Sequence, residues 1–272
     1  MLMLLRYRGE APAEMVGLVE ATREHSGLPW RFSVPVDLDW PSYADGRTRG
    51  LPWYLLSALL LAKSGRRVLM HGPVSGLGRQ ALVKCLALLD IGHATTNAEA
   101  EASLAATHFV YVPTEAANSE LAELLALRGV LGLRSPLNTV GRMLDPGGAL
   151  ASIDGVFHPA YVELHLAVAA LLGHSIVVLK GGGGEAEWSG VKPLTLATSE
   201  GEKILPSLGT DGKPVSAAPA DLVAMWRGER FDRGGEDAVI ATAAAGLHAI
   251  TRGEAGACIA EARSLWSGRN HA

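Results

Sequence analysis

The chain has 272 residues, of which 48% are hydrophobic, and this content is ample for a core in one large domain or two small ones. Its formal net charge of -4 excludes a protein that is basic overall, as many nucleic-acid binders are, while local basic patches stay open. The longest apolar stretches, near 55–62 and 166–172, are too short to span a bilayer, and residues 1–8 are not expected to form a signal peptide.

Hydrophobic periodicity, prolines and glycines predict alternating helices and strands. In chain order the predicted elements are the end of an apolar helix at 1–5, a helix at 13–25, an irregular segment at 30–43, a helix at 53–63, a strand at 67–71, a helix at 79–89, a strand at 108–112, a helix at 119–127, a strand at 151–157, a helix at 159–172, a strand at 175–179, short strands at 194–198 and 202–205, and helices at 220–226, 235–250 and 255–266. This alternation predicts an α/β fold with a mainly parallel sheet flanked by helices, and the two short strands are expected to form a hairpin or sheet edge.

The pattern of helices and strands predicts the domain organisation, and the cysteines predict the cellular compartment. Residues 1–29, with part of the middle of the chain, are expected to form a small helical N-terminal lobe, and residues 30–272 a larger α/β lobe. The two cysteines, Cys85 and Cys258, fall in apolar segments and lack metal-ligand spacing. Distant thiols of this kind predict reduced core residues in an intracellular, cytoplasmic protein.

A glycine-rich loop follows the strand predicted at 175–179. It reads Lys-Gly-Gly-Gly-Gly-Glu-Ala-Glu over 180–187. Glycines leave backbone N–H groups open to a ligand, and ligands of open α/β sheets bind at the carboxyl ends of strands. The loop is therefore the best candidate site, with ligand contacts expected at Lys180, Gly181, Gly183 and Gly184. The alternative is a flexible loop with solvated charges.

A second glycine-containing segment follows the strand predicted at 67–71. His71 ends that strand, three glycines lie from Gly72 to Gly78, and Arg79 opens the next helix. A strand, a glycine loop and a helix N-terminus together form a natural anion site, although the spacing matches neither a P-loop nor a dinucleotide fingerprint. A tight turn is the alternative for the loop, and a satisfied core histidine is the alternative for His71.

Arginines and aromatic residues are interleaved in the same part of the chain. Aromatic rings beside arginines suit stacked single-stranded bases and backbone phosphates. The alternative is that the rings fill the core and the arginines are solvated. The residues concerned are Arg47, Arg49, Arg66, Arg67 and Arg79 with Trp40, Tyr43, Trp53 and Tyr54.

The segment 131–146 resembles the signature of anthranilate phosphoribosyltransferase, in glycosyltransferase family 3. It reads Leu-Gly-Leu-Arg-Ser-Pro-Leu-Asn over 131–138, then Gly141 and Asp145-Pro146. The family has Leu-Gly-x-Arg-Thr-x-x-Asn, then Gly-Pro-Leu and Asn-Pro. Weaker similarity extends the resemblance over nearly the whole chain, through 5–14, 155–157 and 177–187. It implies the family's fold, a small helical lobe joined to an α/β lobe with a cleft between them.

The resemblance also implies roles for individual residues. The family's arginine at the position of Arg134 meets the substrate carboxylate, so Arg134 and Asn138 are expected to contact the ligand; the alternative is an interior arginine paired to a structural acid. The family's Asp-Glu pair, which carries Mg²⁺, appears here as Ala186 and Glu187. A weakened Mg²⁺ site is therefore expected at Glu187, with Glu185 as a partial substitute.

Departures from the family fall on phosphate-binding segments. A Gly-Thr-Gly-Gly-Asp-Gly loop cradles the pyrophosphate of phosphoribosyl pyrophosphate there, whereas 36–46 of this chain holds bulky side chains and Pro41. The family's Lys-His-Gly-Asn-Arg survives only as Met-His-Gly-Pro-Val over 70–74, and a histidine expected near the aromatic substrate is Ala116. This combination resembles the second, anthranilate phosphoribosyltransferase-like branch of the family, similar to proteins proposed to bind nucleic acid.

Two helices that precede the segment 5–14 in the family have no counterpart before Leu5. In the family they help build the helical lobe and the dimer interface. The resemblance therefore implies a helical lobe that is shortened at its N-terminus, and it leaves a homodimer open.

The resulting hypothesis is an atypical member of the family that binds a phosphate-bearing small molecule or single-stranded nucleic acid in the cleft. The cleft is expected to be lined by 37–49, 71–79, 134–138 and 180–187. Besides the glycine loop, the expected ligand contacts are Asp45, Arg47, His71, Gly72, Arg79, Arg134 and Asn138.

Two alternatives stay open. The first is an active phosphoribosyltransferase, a pentosyltransferase that acts on anthranilate or another acceptor, releases pyrophosphate, and uses Lys180 and Glu187 with a metal at the leaving group. The second is a vestigial protein with a structural or regulatory role.

Overall fold

The computed structural model describes residues 1–44, 50–76, 78–209 and 212–270. The helices and strands in these ranges, in chain order, are α1 Leu2–Arg8, α2 Pro12–Ser26, β1 Leu38–Pro41, α3 Trp53–Lys63, β2 Val68–Gly72, α4 Gln80–Leu88, α5 Asn97–Thr107, β3 Phe109–Pro113, α6 Thr114–Ala117, α7 Ser119–Ala126, α8 Arg128–Leu131, α9 Leu137–Arg142, β4 Ser152–Val156, α10 Ala160–Leu171, β5 Ile176–Lys180, a 3₁₀ turn Gly182–Gly184, β6 Leu194–Thr198, β7 Gly201–Leu205, α11 Pro219–Trp226, α12 Arg233–Thr251 and α13 Ala255–Gly268.

The strands form one sheet in the order β3-β2-β1-β4-β5-β6-β7. Strands β1 to β5 run parallel, and β6 and β7 add an antiparallel hairpin at one edge. The chain leaves β1 for β2 and β3 on one side and returns to β4 on the other side. A switch of this kind opens a crevice at the carboxyl ends of the two central strands, where ligands of open α/β sheets bind.

Both faces of the sheet are covered by helices. On one face, α3 and α12 pack over a core that includes Trp40, Met70 and Leu247. On the other face, α2, α7 and α9 enclose a second core that includes Leu69 and Val140. Removal of this apolar surface from water is the main stabilising term of the fold.

The N-terminal helices are held in different ways. α1 has no buried residue, whereas α2 packs against α9 and α10 and buries Met15 and Val19. Arg23 of α2 donates hydrogen bonds to the carbonyl oxygens of Leu144 at 2.9 Å and Met143 at 2.8 Å. The division into a lobe of residues 1–29 and a lobe of residues 30–272 stays a prediction.

The structure confirms the α/β class and the mainly parallel sheet, and the predicted helices and strands lie within a few residues of their expected bounds. The prediction of an irregular segment at 30–43 is confirmed at 30–37 and 42–43 but wrong at 38–41, where β1 lies at the centre of the sheet. Pro41 is tolerated as the last residue of β1, because the next hydrogen bond to β2 is donated by the N–H of Ser42, to the carbonyl oxygen of His71 at 2.8 Å. The helix α5 is an addition to the predicted elements. Among the described residues, every helix is too short or too polar to cross a membrane.

Candidate functional site

The glycine loop after β5 folds back onto the carboxyl ends of β4 and β5. A Cβ on Gly181 would lie 1.6 Å from the carbonyl oxygen of Glu185, and a Cβ on Gly155 would lie 2.1 Å from its carbonyl carbon. Gly183 and Gly184 have φ of 68° and 90°, which side chains rarely adopt. These glycines let the loop close on itself and turn the side chain of Glu185 into the protein.

Glu185 and Arg79 form a buried ion pair beneath the loop. Nη1 of Arg79 lies 3.0 Å from Oε1 of Glu185, and the two side chains are 2% and 0% exposed. The same oxygen accepts hydrogen bonds from Oγ of Ser42 at 3.1 Å and from the backbone N–H of Ala44 at 2.8 Å. Burial opposes the charge on Arg79, but Tyr54 and Glu185 hold the pKa of its guanidinium above the ordinary value. The guanidinium of Arg79 is therefore charged inside the protein.

The second glutamate of the loop lies at the start of α3. Oε2 of Glu187 accepts a hydrogen bond from the backbone N–H of Tyr54 at 3.0 Å. The first N–H groups of a helix lack partners within the helix and attract anions such as phosphate. In this protein a carboxylate of the same chain binds one of them.

The magnesium site implied by the family resemblance would have to be built on these two carboxylates. Mg²⁺ needs near-octahedral oxygen ligation, usually from one or two carboxylates with waters and substrate phosphates. Oε2 of Glu185 has no hydrogen-bond partner among the described residues, but its other oxygen lies 3.0 Å from the guanidinium of Arg79. Ala186 is 0% exposed in the apolar core. No group of three or more His, Cys, Asp or Glu in the described ranges is placed to hold a metal ion.

A cavity of about 550 Å³ opens beside the loop, between α1, the segment from α8 to α9, the end of β4, and α10. Four arginines and several aromatic rings line it, and we refer to it as the arginine cavity. Its lining residues are Arg6, Tyr43, Arg128, Gly132, Leu133, Arg134, Asn138, Thr139, Arg142, Val156, Phe157, His158, Tyr161, His165 and Gly183.

Arg6 closes the arginine cavity on the side of α1. Its Nε donates to the carbonyl oxygen of Arg134 at 3.1 Å, and its Nη2 donates to that of Ser135 at 2.8 Å. Nη1 donates to the hydroxyl of Tyr161 and lies 2.9 Å from Glu10. α1 is thereby fastened to the segment that carries the family signature.

A second charged cluster lies at β4, beside α9 and α10. Oδ1 of Asp154 is 3.1 Å from Nη1 of Arg142, and Oδ2 is 2.5 Å from Nδ1 of His165. Arg142 also donates to the carbonyl oxygen of Gly155 at 2.9 Å. Burial raises the pKa of Asp154, but His165 and Arg142 outweigh it and lower the pKa below its ordinary value. The sequence offered one signal for this cluster, an aspartate inside an otherwise apolar strand.

His71 lies inside the protein, in a polar chain across the sheet. Its Nε2 is 3.1 Å from Oδ1 of Asp39, and its Nδ1 is 3.2 Å from the hydroxyl of Tyr43, which also accepts from Thr114 at 2.8 Å. The side chains of His71 and Asp39 are each 1% exposed. Gly72 packs against the backbone of the neighbouring loop, since a Cβ there would lie 2.1 Å from the carbonyl oxygen of Ser42. The interior location favours the core-histidine interpretation of His71.

A second cavity, of about 520 Å³, lies on the other side of the glycine loop and is lined by Lys180, Gly181, Glu187 and Lys213 among others. The described part of the predicted cleft is therefore divided. The arginine cavity is lined by the predicted contacts Arg134, Asn138 and Gly183. The second cavity is lined by Lys180, Gly181 and Glu187. The remaining predicted residues belong to the structure around the loop and are His71, Gly72, Arg79, Gly184 and Glu185. The predicted contacts Asp45 and Arg47 lie outside the described residues.

No protein-family model matches the chain. The chain is 27% identical over 255 residues to an anthranilate phosphoribosyltransferase of Methanosphaerula palustris, a match that covers 93% of this chain and 72% of that protein. It is also 27% identical over 234 residues to the uncharacterised Escherichia coli protein YbiB, covering 83% of this chain and 72% of that protein.

Solved structures agree with these matches. The crystal structure of anthranilate phosphoribosyltransferase from Thermus thermophilus superimposes with a TM-score of 0.80 at 23% identity, covering 99% of this chain and 85% of that one. The Saccharomyces cerevisiae enzyme in complex with PRPP and Mg gives 0.77 at 15% identity, covering 99% and 80%. The fold is therefore that of the anthranilate phosphoribosyltransferases. The sequence matches point to the same proteins as the fold, and together they confirm the resemblance noted for the segment 131–146.

Proposed function

We propose that the protein binds a phosphate-bearing ligand in the arginine cavity. The observation that carries the proposal is that four arginines, Arg6, Arg128, Arg134 and Arg142, line one cavity. A guanidinium presents several donors in a planar fork that matches phosphate oxygens. No aspartate or glutamate is among the described residues that line the cavity, although Arg6 and Arg142 pair with Glu10 and Asp154 next to it.

The size and the rings of the cavity narrow the class of ligand. A volume of about 550 Å³ is in the range of small-molecule sites. Tyr43, Phe157 and Tyr161 line it beside the arginines, and an aromatic ring of the ligand would pack against such side chains. We therefore propose a ligand of mononucleotide size, either free or as one nucleotide of a single strand.

Binding is proposed to need no magnesium. Arg79 supplies a positive charge to Glu185, and Glu187 binds the N-terminus of α3. The yeast relative is described in complex with PRPP and Mg. In the present protein, Arg79 pairs with the carboxylate of Glu185 in place of a metal, and Glu187 accepts the hydrogen bond from the N-terminus of α3 in place of a phosphate.

Calorimetry with uridine 5′-monophosphate tests the proposal. Uridine and a short single-stranded oligonucleotide serve as comparison ligands, each with and without Mg²⁺. Loss of a charge-assisted hydrogen bond costs about 1.5–3 kcal/mol, so we expect uridine to bind at least about tenfold more weakly than its phosphate. Magnesium should leave the affinity unchanged. Stronger binding of the oligonucleotide would identify nucleic acid as the ligand.

Matched variants locate the site. Arg134→Ala should weaken the nucleotide about tenfold or more, because Arg134 lines the cavity. Lys203→Ala is the control, since Lys203 lies on the edge strand β7 and pairs with the exposed Glu254. Equal affinities for the two variants, or binding that requires Mg²⁺, would refute the proposal.

A second candidate function is phosphoribosyl transfer to an aromatic acceptor. It is favoured by the sequence match to named anthranilate phosphoribosyltransferases and by the presence of Arg134 and Asn138 in one cavity. Because Arg79 pairs with Glu185, we expect no release of pyrophosphate from phosphoribosyl pyrophosphate and anthranilate, with or without Mg²⁺. Magnesium-dependent release would establish this candidate in place of the first.

A further inference from the structure

Arg6 lines the arginine cavity, yet its guanidinium is occupied by the protein itself. Its Nε and Nη2 donate to the carbonyl oxygens of Arg134 at 3.1 Å and Ser135 at 2.8 Å. Its Nη1 donates to the hydroxyl of Tyr161 and lies 2.9 Å from Oε1 of Glu10. All three nitrogens therefore have acceptors within the chain, and a direct contact with a ligand would require Arg6 to give up one of them.

The two carbonyl groups that Arg6 binds lie in the connection between α8 and α9. Gly132 ends α8 with φ of 70°, and α9 begins at Leu137. The residues between them, 133–136, are in neither helix nor strand. Arg134 belongs to this connection, so the conformation of the backbone there decides where its side chain is presented. Arg6 restrains that backbone at two consecutive carbonyl groups.

The attachment of α1 to this connection depends on Arg6. α1 has no buried residue, and of its side chains, all of which the structure describes, only Leu2 packs against a hydrophobic core, as a partly buried residue. Gly9 joins α1 to α2 with φ of 88°, and a Cβ at Gly9 would meet nothing within 4 Å. A short helix with so little buried surface belongs to the part of a structure that opens most readily.

We propose that Arg6 is a positioning residue that acts on the ligand through Arg134. When α1 is docked, Arg6 holds the backbone at 134–135, and Arg134 then presents its guanidinium to the phosphate-bearing ligand. This inference rests on the proposed function, in which Arg134 contacts the ligand. Docking of α1 and binding of the ligand favour each other, because a coupling free energy between two sites acts equally in both directions.

A double-mutant cycle with uridine 5′-monophosphate tests the route through Arg134. Arg6→Ala should weaken binding about three- to tenfold, the range of one hydrogen bond of ordinary strength. In an Arg134→Ala background the same change should alter the affinity by less than about twofold, because the residue that transmits the effect is gone. A direct contact of Arg6 with the ligand, or a general loss of folding, would weaken binding equally in both backgrounds, and equal effects would overturn the proposal.

Arg8→Ala is the matched control for Arg6→Ala. Arg8 lies on the same helix, is 60% exposed and pairs with Glu14 of α2. We expect Arg8→Ala to leave the affinity for the nucleotide unchanged. An equal loss of affinity in Arg8→Ala and Arg6→Ala would assign the effect to the helix as a whole and overturn the role of Arg6.

Hydrogen–deuterium exchange gives an independent readout. Saturating uridine 5′-monophosphate should slow exchange at the backbone N–H groups of α1 about three- to tenfold, by the same coupling. In the free protein, Arg6→Ala but not Arg8→Ala should speed exchange at 132–138. Unchanged exchange of α1 in protein that binds the nucleotide, or unchanged exchange at 132–138 in Arg6→Ala, would overturn the proposal. Failure of the nucleotide to bind would count against the proposed function, while exchange in the free protein would still test Arg6.

Discussion

The ion pair between Arg79 and Glu185 makes a quantitative prediction about stability. Arg79→Met keeps an unbranched side chain of similar length but removes the charge. It would leave the carboxylate of Glu185, which is 0% exposed, without its guanidinium. Removing one partner of a buried pair typically costs about 3–5 kcal/mol. Because unfolding free energies are about 5–15 kcal/mol, a large part of the stability would be lost.

The double variant measures how strongly the charges of Arg79 and Glu185 are coupled. Arg79→Met combined with Glu185→Met removes both charges, so neither is left uncompensated. We expect the double variant to lose less free energy of unfolding than the sum of the two single variants, with a coupling of about 2–3 kcal/mol. Ser42 and the backbone N–H of Ala44 would still lose an acceptor, so the double variant should remain less stable than the unaltered protein.

Urea unfolding followed by tryptophan fluorescence measures these differences through the midpoint and the slope. Arg66→Met is the matched control, because Arg66 and Glu261 form a pair that is 24% and 42% exposed. Exposed pairs contribute about 0–1 kcal/mol. If Arg79→Met cost no more than Arg66→Met, or if the single effects were additive, the reasoning from a buried, coupled pair would be refuted.

Three further predictions concern the polar groups and glycines. Burial, with the neighbouring carboxylate of Asp39, raises the pKa of Asp145 from 3.8 to about 7. Because the folded state then binds a proton that the unfolded state has lost, the free energy of unfolding falls as pH rises from about 4 to 7. Asp145→Asn should remove this pH dependence, as measured by urea unfolding at several pH values. The pKa of Asp154 is lowered, so the ionised carboxylate stabilises the folded protein above pH about 4, and this contribution is lost as pH falls further. Asp154→Asn should lower the free energy of unfolding by on the order of 3 kcal/mol at pH 7 and should weaken its decrease at acid pH. Gly181→Ala should lose on the order of 3 kcal/mol in thermal or urea unfolding because its Cβ meets backbone, whereas Gly256→Ala, with nothing within 4 Å, should be neutral or stabilising.

Much of the fold could be predicted because its signals are local. The helices α3 and α12 and the strands β2, β3 and β5 show apolar runs with glycine or proline at one end or both, and such patterns depend only on neighbouring residues. β1 was the exception, since its four residues include an aspartate and a proline. Its burial at the centre of the sheet stabilises an extended conformation that local propensity disfavours.

The candidate site was less predictable because its contacts join distant parts of the chain. Arg134 and Asn138 belong to one motif, and both line the arginine cavity. Arg79 and Glu185 are 106 positions apart, and nothing in either segment indicates that one side chain neutralises the other. Sequence patterns predicted a ligand contact at Arg79 and a partial magnesium ligand at Glu185, whereas the tertiary structure brings the two side chains together as partners.

Ala186 bears on how this protein can change over evolutionary time. By resemblance, it occupies the place of the aspartate in the family's acidic pair, and here it is fully enclosed by the apolar core. A carboxylate introduced at that place without a partner would cost several kcal/mol, because burial removes the ionised group from water. A descendant would therefore have to reopen the packing around the loop before it gained anything from an aspartate. A single substitution of Ala186 by aspartate would therefore not be enough to give this loop the family's acidic pair.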